Sequence, residues 1–303
     1  MSVANQMTIT LECNGSSLVA GKGKEFSINE ITGIESSDIE ISMSDNALVD
    51  GSTVDGKRIK SRPIHIVMTL MDDKNNPVNR QRIIKFFNPK YTGKLIIDNM
   101  GTERNIQYEL EGWAFKKQTN LNTRLQVLAD LICPNPYFKN MDNFGKNMAN
   151  ITPLFAFPWR STVRKMYETP DPYKGFTLGG WTTGYRTLKK AVELSNDGDV
   201  ATGVQIQFIA ARGPATNPKI ELVGSGKFIR VVVDMEQGDV LLIDTDQRNQ
   251  IIELNGVNCY QKIDRRSENF QLEVGDNYLE YDADENYTNL DVNLFYTPAY
   301  LGV

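Results

Sequence analysis

Apolar residues recur at every second position along much of this chain. Met7-Thr8-Ile9-Thr10-Leu11-Glu12-Cys13, Phe26-Ser27-Ile28-Asn29 and Ile39-Glu40-Ile41-Ser42-Met43 all alternate, which predicts half-buried strands. Between Ser44 and Pro63 the chain is polar. Asp50-Gly51 and Asp55-Gly56 suit tight turns, because glycine takes positive φ without a steric cost. Residues Ser52–Arg62 therefore read as part of a long hairpin or arm leading into the strand around His65. One helix is predicted: Asn76 can cap it, Pro77 fits its first turn, and Arg80, Ile83, Ile84 and Phe87 follow at helical spacing. Asn88-Pro89 ends it, since the residue before proline avoids the helical region. Lys94–Ile97 and Ile106–Phe115 pair plausibly across Asn99-Met100-Gly101. Thr123–Cys133 is apolar and periodic, as strand or helix.

From Phe138 to about Thr187 the texture changes to Asn, Gly, Pro and aromatics, with Leu154–Phe157 as a short strand. Beyond it, strands recur about every ten residues, the spacing of a β-sandwich. They are Ala191–Leu194, Gly203–Ile209, Lys219–Leu222, Lys227–Val233, Asp239–Asp244, Gln250–Leu254, Glu268–Leu272, Tyr278–Tyr281 and Leu290–Tyr296. Turn signals separate them, among them Gly224-Ser225-Gly226 and Asn255-Gly256. Two domains are expected, 1–138 and 139–303, the second with a loop-rich entry segment. The length of 303 residues fits that number.

Composition narrows the function. The chain is 40% hydrophobic and 23% charged with a net charge of −5, ordinary globular material whose mild acidity disfavours nucleic-acid binding. No apolar run approaches the ~20 residues that span a bilayer, and Met1–Met7 shows no secretory pattern. Cys13, Cys133 and Cys259 are odd in number and far apart, so they read as buried free thiols made in a reducing cytoplasm.

Candidate chemistry is sparse. The single histidine, His65, lies on a strand-like run and reads as a residue of its polar side. The carboxylates around Asp234–Asp246 and Asp282–Glu285 lack calcium-loop spacing and read as solvated loops. Gly21-Lys22-Gly23-Lys24 lacks the phosphate-loop pattern and precedes a strand, so it reads as a turn. No catalytic residue, metal or cofactor is expected. Two surface sets remain. Ser52, Val54, Lys57, Arg58, Ile59, Lys60 and Arg62 form a candidate oligomer interface on the arm. Trp181 and Tyr185 are candidate sugar-stacking aromatics.

The order of several short motifs resembles the distal tail protein (Dit) family of long-tailed bacteriophages. In the first half these are Ile39–Met43, Asp50-Gly51-Ser52 and the basic residues before Pro63-Ile64-His65-Ile66. At the junction stands Leu131-Ile132-Cys133-Pro134-Asn135-Pro136-Tyr137-Phe138. The second half adds Asn196-Asp197-Gly198-Asp199, Asn217-Pro218-Lys219-Ile220, Leu242-Ile243-Asp244-Thr245, Asn255-Gly256 and Phe295-Tyr296. The long segment Asn140–Thr187 departs from the family outline. The resemblance implies a mainly β protein: an N-terminal β-sandwich with one helix and a long hairpin, then a galectin-like β-sandwich. It implies a non-enzymatic hub in the virion tail, assembled in the host cytoplasm. Its first domain would close into a ring, usually a hexamer, joining the tail tube to tail-tip, baseplate or receptor-binding proteins. Residues 1–138 would then make the ring by themselves. Two other classes stay open: a carbohydrate-binding module that depends on Trp181 or Tyr185, and a glycoside hydrolase that uses two carboxylates.

Overall fold

The computed structural model describes residues 7–45, 50–71, 76–116, 124–141, 144–153, 184–188 and 190–303. The expected strand Leu154–Phe157 and residue Trp181 lie outside them. The fold is mainly β with a single α-helix among the described residues. The chain forms two compact units. The first comprises Met1–Asn143, Asn196–Thr202 and Thr297–Val303; the second comprises Phe144–Ser195 and Gly203–Tyr296.

The first unit is built from β1 (Met7–Cys13), β2 (Ser16–Gly21), β3 (Phe26–Thr32), β4 (Ile39–Asp45), β5 (Ser52–Ile59), β6 (Arg62–Leu70), α1 (Asn76–Phe86), β7 (Gly93–Asn99), β8 (Thr102–Phe115), β9 (Gln126–Cys133) and β10 (Phe138–Asn140). The expected sandwich here takes the form of one sheet closed on itself. Strands run β8-β7-β1-β2-β3-β6-β9, and β9 pairs again with β8. The closure depends on the length of β8. Its first half pairs with β7 and its second half with β9, and a bulge between Leu110 and Gly112 turns the corner. Alternation decides what fills the interior. Ile9 and Leu11 of β1, Ile64, Ile66, Met68 and Leu70 of β6, and Val127, Ala129 and Leu131 of β9 all point inward and are buried. Each of the larger of these side chains contributes about 1.5–3 kcal/mol by leaving water. Within the segment that periodicity left ambiguous, Gln126–Cys133 is thus a strand. The strand β2 was not expected, although Leu18 and Ala20 carry its buried face.

Several local expectations hold. Asn99↔Thr102 closes the β7–β8 hairpin through Met100 and Gly101, both at positive φ, the geometry of a type I′ turn. The helix ends before Asn88-Pro89. Its C-terminal end is fixed by aromatic packing: Phe87 stacks on Trp113 at 5.3 Å, Trp113 meets Phe115 edge-on, and the Arg80 guanidinium lies 4.4 Å over Phe115. Gly93 has to be glycine, since a Cβ there would sit 2.1 Å from the Tyr108 ring.

The second unit contains β11 (Phe144–Asn147), β12 (Ala149–Pro153), β13 (Gly184–Leu188), β14 (Ala191–Asn196), β15 (Val204–Ala210), β16 (Ala215–Leu222), β17 (Lys227–Arg230), β18 (Asp234–Met235), β19 (Val240–Asp244), β20 (Ile251–Leu254), β21 (Val257–Asn258), β22 (Gly275–Glu285) and β23 (Leu290–Tyr296). Two antiparallel sheets, ordered β11-β23-β15-β19-β20-β21 and β14-β22-β16-β17, share one core. Ile206, Phe208 and Val292 come from the first sheet; Ile220, Leu279 and Tyr281 come from the second. This is the expected sandwich. Asn255 and Gly256, both at positive φ, make the expected turn between β20 and β21. Two expectations fail here. Glu268–Leu272 is irregular rather than a strand; its alternation reflects Phe270 and Leu272 dropping into the core. Asp282, Asp284 and Glu285 extend β22 instead of forming a loop, because the ladder with β16 runs on through Lys219↔Asp282 and Thr216↔Glu285; Lys190 also pairs with Asp282 and Arg230 with Asp284.

The last strand, β24 (Ala299–Tyr300), belongs to the first unit. It pairs with β10, which pairs with β8. Residues 196–202 lie beside it: the Asp199 amide donates to the Ala299 carbonyl at 2.8 Å, and the Leu301 amide donates to the Asp199 carboxylate at 3.0 Å. The anchor of this strap is Arg62, which is fully buried. Its Nε donates to the Pro136 carbonyl and its Nη1 to the Gly33 carbonyl, both at 2.8 Å, and its Nη2 donates to the Leu301 carbonyl. The guanidinium lies 4.9 Å from the centre of the Phe138 ring. Arg104 reinforces the same end, donating to the Gly302 carbonyl and covering the Tyr300 ring.

All three cysteines are buried and free. Burial pushes the Cys133 thiol up to about 12, against the opposing pull of Arg62.

Two outcomes follow from this unit. Arg62→Ala strands three carbonyls at a cost of ~1–3 kcal/mol each where they stay dry. Urea unfolding of the first unit should therefore lose at least about 3 kcal/mol, and Arg62→Lys should recover little, because an ammonium cannot reproduce the fork. An unchanged midpoint would contradict this. The second outcome concerns pH. The folded Cys133 thiol titrates above its unfolded value of 9.0, so its contribution to stability is complete below pH 9 and is lost as pH rises toward about 12. Cys133→Ala should flatten that alkaline loss in unfolding measurements, and an equally steep loss in the variant would refute the assignment.

Candidate functional site

The hairpin β4–β5 has a face that none of the described residues covers. Its strands pair only with each other, and the base is closed by the Lys60 amide donating to the Asp38 carbonyl at 2.8 Å. The register places Ile39 opposite Ile59, Glu40 opposite Arg58, Ile41 opposite Lys57 and Met43 opposite Val54. Cross-strand partners share a face, so the alternation that predicts a half-buried strand gathers Ile39, Ile41, Met43, Val54 and Ile59 on one side. That side is open: Ile39 is 63% exposed, Ile41 47%, Met43 62% and Val54 49%. The expectation that β4 is half-buried is thus corrected. Its pattern is that of a buried strand, but the described residues supply no second layer.

The opposite face is polar and tied together. Arg58 pairs with Glu40, and Arg58, aided by Lys60, holds the Glu40 carboxyl below the usual carboxylate range. Ser44 donates to Asp55 at 3.0 Å, and at the tip, on the apolar side, Ser52 donates to Asp45 at 2.8 Å. Asp55-Gly56 does not form the expected turn. The register shifts there, so Asp55 is the extra residue of a bulge and Gly56 accommodates it. An isolated two-stranded ribbon is at best marginally stable in water. Here it presents an apolar stripe to solvent.

Of the predicted interface residues, Ser52, Val54, Lys57, Arg58 and Ile59 all lie on β5, and Lys60 follows it, exposed. Arg62 does not join them. It is buried inside its own unit with its donors committed to three carbonyls, and so it is removed from the set. Ile39, Ile41 and Met43 were missed as site residues, although their alternation was visible. Tyr185 lies on β13 opposite Thr152. His65 does sit on the solvent side of β6, with Nδ1 2.8 Å from the carboxylate of its cross-strand neighbour Asp130. Among the described residues, no group of three or more His, Cys, Asp or Glu side chains is placed to hold a metal. No described helix is long and apolar enough to cross a membrane.

A closed β-barrel bearing a free hairpin, followed by a two-sheet sandwich, is the architecture to be matched. Residues 197–300 match the family of the siphovirus-type tail component, C-terminal domain. The match begins and ends within the two strap segments. The resemblance to the distal tail family drawn from the motifs therefore holds. The fold of nearly the whole chain is that of the Dit (gp 19.1) protein of phage SPP1, described as a paradigm of hub adsorption apparatus in Gram-positive infecting phages. The TM-score is 0.66 at 16% identity, over 97% of this chain and 99% of that one. A chain of the phage P2 baseplate in its activated conformation with Ca aligns at 11% identity over 97% of each chain, with a TM-score of 0.48. No curated protein matches the sequence.

Because Ile41 and Met43 cover nothing within the chain, replacing both with Asp should leave the urea unfolding free energy within about 0.5 kcal/mol of the parent. A loss of several kcal/mol would show that the stripe is already packed.

Proposed function

We propose that this protein is a structural hub of a long-tailed phage tail. Copies of it close into a ring, most simply of six, that joins the tail tube to tail-tip, baseplate or receptor-binding proteins. The observation that carries the reading is the exposed apolar face of β4–β5 on a barrel closed by the β8–β9 pairing. A second copy is the fitting cover. Every copy presents the same stripe, and a head-to-tail contact repeated around an axis leaves none exposed. The tail-component family of residues 197–300 and the fold shared with SPP1 Dit support the tail role. The ring-forming body is the first unit, the belt assigned to 1–138 together with its strap, and the sandwich from 139 onward remains available for partners. The protein works by geometry and performs no catalysis, and its place is the virion tail.

Light scattering on the purified full chain, with negative-stain images, tests this. The expected result is a closed particle of fixed stoichiometry, formed at high concentration or with tail proteins present. The Ile41→Asp, Met43→Asp variant should stay monomeric with an unchanged melt. A strict monomer under all these conditions, or normal assembly of the variant, would overturn the reading.

A further inference from the structure

The second unit holds a pocket that the assembly role does not use. It is small, about 160 Å³, and opens between the two sheets beside the segment that follows β21. Its floor is apolar: Ile229 from one sheet and Ile243 and Ile252 from the other are all buried. Its rim is polar and built on fixed backbone. Tyr260 stands at the mouth, 46% exposed, with its amide bonded to the Asn258 side chain at 3.0 Å and its hydroxyl 3.4 Å from Gln250 Oε1. Asp264 accepts from the Arg266 amide at 3.0 Å and from Arg230 Nη1 at 3.1 Å, which fixes the loop. Asn269 donates its amide to the Thr245 carbonyl at 3.1 Å.

These bonds leave specific groups over. Asn269 Oδ1, Gln250 Nε2 and the Arg265 guanidinium line the pocket with no hydrogen-bond partner among the described residues. Pockets that select small molecules combine an apolar floor with a few convergent, preorganised polar groups. The charges narrow the class. The lining carries two carboxylates, Asp244 and Asp264, against the single guanidinium of Arg265, so a multiply charged anion is disfavoured. The volume is below the ~300–1,000 Å³ of pockets for larger ligands. One ring with an apolar C–H face and several hydroxyls fits these constraints.

We propose that this pocket binds a single neutral pyranose unit, the end or branch residue of a glycan. Tyr260 stacks on its C–H face, and Gln250, Asn269 and Arg265 hydrogen-bond its hydroxyls. This proposal uses neither Trp181 nor Tyr185, and it does not rest on the hub reading.

The test is saturation-transfer NMR on the full chain with three probes: methyl β-D-glucopyranoside, methyl β-D-galactopyranoside and methyl N-acetyl-β-D-glucosaminide. At least one should give a saturable response with Kd on the order of 1–10 mM. Tyr260→Ala and Arg265→Ala should each weaken it ~10-fold or more, with an unchanged melt, whereas Tyr260→Phe should retain it. Tyr185→Ala should have no effect. Silence from all three probes, or a response indifferent to both alanine variants, would overturn the proposal. A salt-sensitive response to sulfate alone would overturn it in favour of an anion pocket.

Discussion

A buried guanidinium with every major donor direction occupied is the constraint on which the first unit depends. Arg62 reaches carbonyls at Gly33, Pro136 and Leu301, far apart in sequence, from one position at the start of β6. A charge in so dry a place is tolerated only when it is fully hydrogen-bonded, and only arginine offers several donors in a rigid plane. The three segments must therefore come together around it. The strap 297–303 is in consequence a working strand of the barrel unit, although it is encoded after the whole sandwich. A chain cut after residue 138 would lack the Leu301 carbonyl and the strand that pairs with β10.

Much of the architecture was legible because its cause is local. Alternation fixed the barrel strands, and Asn99-Met100-Gly101 and Asn255-Gly256 marked turns through residues that tolerate positive φ. Asn88-Pro89 stopped the helix. What was not legible depends on distant partners. Arg62 reads as one more basic residue of an arm until Gly33, Pro136 and Leu301 surround it. Asp55-Gly56 reads as a turn because a bulge and a turn use the same dipeptide. Glu268–Leu272 alternates like a strand, yet its backbone runs beside β17 without forming a ladder.

The arm shows the same limit from the other side. Its alternation reads as a half-buried strand, but a pattern of residues cannot say what, if anything in the chain, covers the apolar side. Within this chain the stripe of Ile39, Ile41, Met43 and Val54 meets solvent. The barrel that carries it is closed by the β8–β9 pairing, so its strands are satisfied within the unit while the hairpin pairs only with itself.

The most direct measurement places a photo-crosslinking residue at Met43 in the full chain and mixes ¹⁴N- and ¹⁵N-labelled protein before irradiation. Peptide mass spectrometry then shows what lies over the stripe. The account predicts mixed-isotope crosslinks between position 43 of one copy and the barrel unit of another. Crosslinks confined to a single copy would contradict it.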